Sequence, residues 1–134
     1  MIKKGIKQLI AEAEKRSKGI SIEAATKRLG EANTVFDDIR DVRELEREGT
    51  VPGAFHAPRG MLEFWVDPES PYYKPVFTDD KTFILYCQAD WRGTLAAAAL
   101  ADMGMQNVLH LEGGFGEWKK AGAPTGPKPE KKKT

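Results

Sequence analysis

Ile2, Ile6, Leu9, Ile10 and Ala13 recur at helical spacing with Lys and Glu between them, which predicts an amphipathic helix over residues 3 to 16. Ser21 is placed to cap a second helix carrying Ile22, Ala25 and Leu29, ended near Gly30. After Asn33 the pattern changes. Thr34-Val35-Phe36 is a short β-prone run, residues 41 to 48 are charged and helix-prone, and residues 49 to 58 (GTVPGAFHAP) carry turn chemistry around a short apolar step. Met61, Leu62 and Trp65 mark a short helix, closed by a Pro-rich surface loop, DPESPYYKP. Residues 82 to 86 (TFILY) form a continuous apolar run of buried-strand length, and residues 92 to 103 an Ala- and Leu-rich helix. Residues 107 to 111 (NVLHL) read as another strand and 115 to 121 as a last helix. Strands alternating with helices at this spacing predict an α/β domain with a central, mostly parallel sheet and helices on both faces.

The 134 residues suit one domain, preceded by the helix of residues 1–19 and followed by a tail over 125–134 that is polar, Lys-rich and expected to be disordered. Net charge is only +1, which argues against a phosphate-neutralising protein and so against nucleic acid as a partner. The balance is uneven. Residues 1 to 28 hold eight basic and three acidic side chains, whereas residues 29 to 127 hold nine basic and sixteen acidic ones, an acidic centre between basic ends. The first helix is expected to pack on the domain; its stripe is short and lacks the aromatics of a membrane-surface helix. No apolar run approaches membrane-spanning length and no leader pattern is visible, so the expectation is a soluble, cytoplasmic protein without membrane contact.

Cys87 is the single cysteine, which precludes an internal disulfide and fits a reducing compartment. Its position directly after the apolar strand and about five residues before a helix makes it chemically informative. Such a segment turns sharply at the carboxyl edge of the sheet, where open α/β sheets bind ligands. Main-chain N–H groups of the loop and of the helix's first turn can converge there, and a thiol held among them ionises more readily and attacks electrophiles. Arg92 can close the loop by bracing a carboxylate or can meet an anionic substrate. His56 and His110 lack partners at metal-ligand spacing, so no metal is expected, and His110 reads as a core or surface histidine rather than a base.

Three segments, in order, resemble the rhodanese-like sulfurtransferases over roughly residues 20–124. Asp38-Ile39-Arg40-Asp41 with Glu44, followed by residues 49 to 58, is similar to the family's first signature. Cys87 to Arg92 resembles the active-site loop, and residues 113 to 124 (GGFGEWKKAGAP) the closing signature. The resemblance implies a three-layer α/β/α domain that moves sulfane sulfur, without a cofactor, from a donor such as thiosulfate to a thiophilic acceptor through a Cys87 persulfide. It implies Gln88, Ala89, Asp90, Trp91, Arg92 and Gly93 as the substrate-binding loop, with Asp38 and Arg40 as structural support. The loop counts six residues from Cys87 to Arg92, the sulfurtransferase length, whereas related phosphatases and arsenate reductases use a longer one. Partners would be a small-molecule donor and acceptor or a protein thiol, and the chain a monomer or weak dimer.

The loop also departs from the family pattern. Asp90 stands where a Gly is usual, and Asp tolerates positive φ better than most residues. Its carboxylate would repel thiosulfate if it faced the sulfur and leave the site intact if it faced solvent; from the repulsion, Asp90→Gly is expected to raise activity with thiosulfate. Gly93 removes a hydroxyl donor, and Thr50 stands where many relatives have His. Trp91 is either a platform at the pocket rim or packing over the following helix, and Arg59 is either an exposed Arg or reaches the mouth to offset Asp90. The alternative function is therefore a catalytically impaired binding or regulatory module. A weaker third is a redox sensor passing through sulfenic acid.

Overall fold

The computed structural model describes residues 1–130. Five strands, β1 (Lys18–Ile20), β2 (Thr34–Asp38), β3 (Phe55–His56), β4 (Thr82–Tyr86) and β5 (Val108–Leu111), form one all-parallel sheet in the order β1-β5-β4-β2-β3. Six helices accompany them: α1 (Ile6–Arg16), α2 (Ile22–Lys27), α3 (Val42–Glu48), α4 (Leu62–Val66), α5 (Trp91–Asp102) and α6 (Gly114–Lys120).

Strand periodicity sorts the core into two layers. Along β4, Phe83 and Leu85, and Cys87 just past its end, face one side with Ile39, Leu62, Phe77, Ala96, Ala97 and Leu100. Ile84 and Tyr86 face the other with Ala25, Phe36, Leu111, Phe115 and Trp118. A strand buried on both faces has to be apolar throughout, which is why TFILY lacks alternation. Helix α1 lies against α5, burying Ile10 and Ala13 and pairing Arg16 Nε with Asp102 Oδ1 at 3.0 Å. Ser21 caps α2, its Oγ accepting the Ala24 N–H at 3.1 Å. None of the helices among the described residues is long and apolar enough to cross a membrane.

Two local readings change. Residues 18–20, which the pattern leaves as a link between the two predicted helices, form the edge strand β1 beside β5, because pairing with an existing strand supplies main-chain partners that a three-residue linker cannot supply itself. Within the tail predicted over 125–134, Gly126 is held: Thr50 N–H donates to the Gly126 carbonyl at 2.8 Å and Gly126 N–H to the Thr50 carbonyl at 2.9 Å, fixing the chain there against the turn after α3. The last four residues of that tail lie outside the described residues.

Chain direction across the sheet reverses at β2: β3 lies on one side of it and β4 on the other. The crevice beyond the carboxyl ends of β2 and β4 is therefore the topological switch point, and Cys87 is the first residue past β4 at that edge.

Candidate functional site around Cys87

Two strand ends build the floor. Asp38 closes β2, and its carboxylate takes a bidentate bond from Arg40, Nε to Oδ1 at 2.9 Å and Nη2 to Oδ2 at 2.7 Å. Both side chains are fully buried. The remaining guanidinium donors reach the Gly49 carbonyl at 2.7 Å and Gln88 Oε1 at 3.0 Å, and the plane sits 4.4 Å from the centre of the Phe115 ring. Burial works against the Arg40 charge, but the Asp38 bonds outweigh it and hold the guanidinium ionised. Asp38 Oδ2 also accepts from Thr50 Oγ1, which in turn lies 2.6 Å from the Tyr86 hydroxyl. Thr50 thus completes a buried polar chain. Burial pushes the Tyr86 phenol well above its ordinary range.

The loop after β4 is gripped from below. Phe115 N–H and Gly116 N–H donate to the carbonyls of Cys87 and Gln88 at 2.8 and 3.0 Å. Gly114 makes that approach possible: at φ +67°, a β-carbon there would stand 2.6 Å from the Cys87 carbonyl oxygen.

Cys87 is 2% exposed, and its sulfur accepts the Asp90 N–H at 3.1 Å. Within hydrogen-bond distance one amide, rather than several, points at it. Asp90 is the one non-glycine residue with positive φ among those described, at +84°, so the conformation usual for Gly is kept with Asp in place. Its carboxylate faces neither the sulfur nor open solvent. Both oxygens lie 3.0 Å from His110 Nδ1, on the neighbouring strand.

Arg92 takes the carboxylate-brace role. Its Nη1 and Nη2 each donate to Glu44 at 2.9 Å, a two-pronged pair across the loop. Glu44 also closes a capping box at the start of α3, where its Oε2 accepts the Asp41 N–H. The Arg92 bonds hold the Glu44 carboxyl below its usual range. Arg92 is held protonated chiefly by Glu44, with a smaller contribution from Cys87.

The other predicted binding residues divide. Ala89, Asp90 and Trp91 line a hollow of about 490 Å³ together with Thr94, His110, Glu14 and Glu112, and the Trp91 ring is 51% exposed there. Gln88 turns its amide away, to Arg40. Gly93 is buried beneath the Asp90 carboxylate. Arg59 does not offset Asp90: it pairs with Glu63 one turn along at 2.7 Å, and the Asp90 carboxylate is held by His110 instead. His56 donates from Nε2 to the Arg40 carbonyl at 2.7 Å and holds the end of the first signature.

The match to known proteins accords with this geometry. The family model described as Rhodanese-like domain covers residues 21–121. The chain belongs to the rhodanese-like family. A solved structure from Rhodopseudomonas palustris, described as a protein of unknown function and possible tyrosine phosphatase, superposes with a TM-score of 0.90 at 46% identity, covering 94% of this chain and 97% of that one. A sulfurtransferase of Allochromatium vinosum is 28% identical over 106 residues, 78% of this chain and 91% of that protein. Human thiosulfate:glutathione sulfurtransferase is 26% identical over 87 residues, 60% of this chain and 75% of that protein. An uncharacterized Synechocystis protein is 45% identical over 47 residues, but the chain spans only 26% of its length. The family match and the Allochromatium and human sulfurtransferases support a sulfurtransferase-type enzyme.

Two contributors escaped the sequence reading. Glu44 appeared only as part of a signature, although the Asp41-x-x-Glu44 spacing is a capping-box signal. His110 carried no local signal, because its meeting with Asp90 depends on β5 lying beside β4.

Proposed function

We propose that the protein transfers sulfane sulfur through a Cys87 persulfide, with thiosulfate as a competent donor and a small or protein thiol as acceptor. The observation that carries this reading is the sulfur at the switch point, at the head of a six-residue loop that the Arg92–Glu44 pair closes, with an amide aimed at it. The Cys87 thiolate attacks the outer sulfur of thiosulfate, a new S–S bond forms, and the thiosulfate S–S bond breaks with its electron pair leaving on sulfite. The terminal persulfide sulfur is then attacked by the acceptor thiolate, which departs as a persulfide and returns Cys87 as thiolate. The Asp90 N–H stabilises sulfur anion in both steps, and the loop's grip on α6 keeps that donor in place. The names of the Allochromatium and human relatives favour the same chemistry.

Incubation with thiosulfate followed by intact-mass measurement tests this. A gain of about 32 Da, one sulfur held covalently, is expected in the native chain and not in Cys87→Ser. No adduct from thiosulfate or any other sulfane donor would leave a binding or regulatory module as the function.

A phosphatase reading rests on the description of the Rhodopseudomonas protein. The short loop and the engagement of Arg92 by Glu44 speak against it. Hydrolysis of p-nitrophenyl phosphate that depends on Cys87 would favour it.

A further inference from the structure

Asp90, Gly93 and His110 form a contact that the proposed chemistry does not by itself require. Asp90 supplies the amide aimed at the sulfur, from a backbone conformation that L-residues adopt reluctantly. A residue in that region stays there only if its surroundings over-determine it. The contact with His110 does so: with both carboxylate oxygens 3.0 Å from Nδ1, the imidazole must donate from Nδ1, and the residue is 7% exposed and therefore confined. Gly93 leaves the space. A β-carbon there would come within 2.9 Å of Asp90 Oδ1 and 3.7 Å of the His110 β-carbon. The two departures from the usual loop, Asp for Gly and Gly for a hydroxyl residue, are thus two halves of one fit.

We infer that His110 is a positioning residue for Cys87: by holding the Asp90 carboxylate it keeps the Asp90 N–H aimed at the sulfur and turns the carboxylate charge away from it. The inference rests on Cys87 being the reactive sulfur. The charges facing the pair are those of Glu14 from α1 and Glu112 just past β5, which line the same hollow, while the Arg92 guanidinium is taken by Glu44. Among the described residues no Lys or Arg lines that hollow to replace His110 as the partner of Asp90.

The test is the rate of Cys87 alkylation by iodoacetamide, followed by mass as a function of pH, which needs no sulfur donor and so can succeed even if persulfide loading fails. Against the native chain, His110→Leu is expected to slow alkylation at pH 7 about tenfold and to move the rate profile to higher pH, the magnitude of losing about one charge-directed hydrogen bond. His110→Asn, whose side-chain N–H can donate from near the Nδ1 position, should restore the rate to within about threefold. In an Asp90→Gly background, His110→Leu should change nothing, because the contact is already absent. Thermal unfolding of each variant identifies any that fails to fold. Gly93→Ala then serves as the independent probe, since its methyl displaces the same carboxylate, and it should slow alkylation in the presence of His110. An unchanged rate in folded His110→Leu, or in Gly93→Ala, or an equal loss with and without Asp90, would overturn the inference.

Discussion

Replacing Asp37 with Asn removes an ionisable group from the middle of an apolar layer. Asp37 is fully buried in β2, in register with Phe55 on one side and Leu85 on the other. Strand alternation turns it to the face that carries Val35 and Ile39, the layer of Leu62, Phe77 and Phe83. Neither carboxylate oxygen has a hydrogen-bond partner. Burial, with the adjacent Asp38 charge adding to it, raises its pKa well above the usual carboxylate range, so the native state holds a proton that the unfolded chain releases near pH 4. More protons bound in the native state means that stability falls as pH rises, by about 1.4 kcal/mol per pH unit, from about pH 4 up to the pH at which the buried carboxyl itself ionises. The Asn variant keeps the shape and loses that slope. Above about pH 5 it should therefore gain on the native chain by about 1.4 kcal/mol for each pH unit over which the buried carboxyl keeps its proton. Urea denaturation of both proteins at several pH values measures this, because all other titrations cancel in the difference. Parallel pH dependences for the two proteins would refute the reasoning.

Breaking the Asp38–Arg40 pair with Asp38→Ala leaves a buried guanidinium without its counter-charge, and a loss of about 3–5 kcal/mol is expected by chemical denaturation. Glu44→Ala removes both the capping box and the Arg92 brace; with the pair partly exposed, the expected loss is about 1–2 kcal/mol, together with slower persulfide loading in the mass assay. Since Arg92 lowers the Glu44 pKa, this contribution is present at neutral pH and is lost as pH falls through the native Glu44 pKa, so the native and Glu44→Ala unfolding midpoints should converge in acid. Gly114→Ala forces positive φ on an L-residue and drives a methyl into the Cys87 carbonyl, and a drop of at least about 2 kcal/mol with loss of sulfur loading is expected. Asp90→Gly is no longer expected to raise activity with thiosulfate, because the carboxylate is turned to His110 rather than to the sulfur; a faster rate in the thiosulfate assay would show that the charge nonetheless reaches the site.

Much of the architecture was legible because it is written in short-range patterns. The continuous apolar run of β4, the cap at Ser21 and the Gly-Gly at the start of α6 act within a few residues of themselves, so periodicity and turn chemistry place them. The lone thiol was legible for the same reason: a strand immediately before it and a helix immediately after set its place on the sheet edge. What the chain's linear order could not decide was which distant groups surround that thiol. The strand order, with β5 beside β4 and β2 on the other flank, brings His110 to Asp90, Glu44 to Arg92 and Arg40 to Gln88. Each of those meetings spans twenty or more residues. Sequence alone thus determined the long elements, the family and the sulfur, but not the short edge strands β1 and β3. Tertiary structure decided where the charges point, because the direction of a side chain is set by neighbours that only folding supplies.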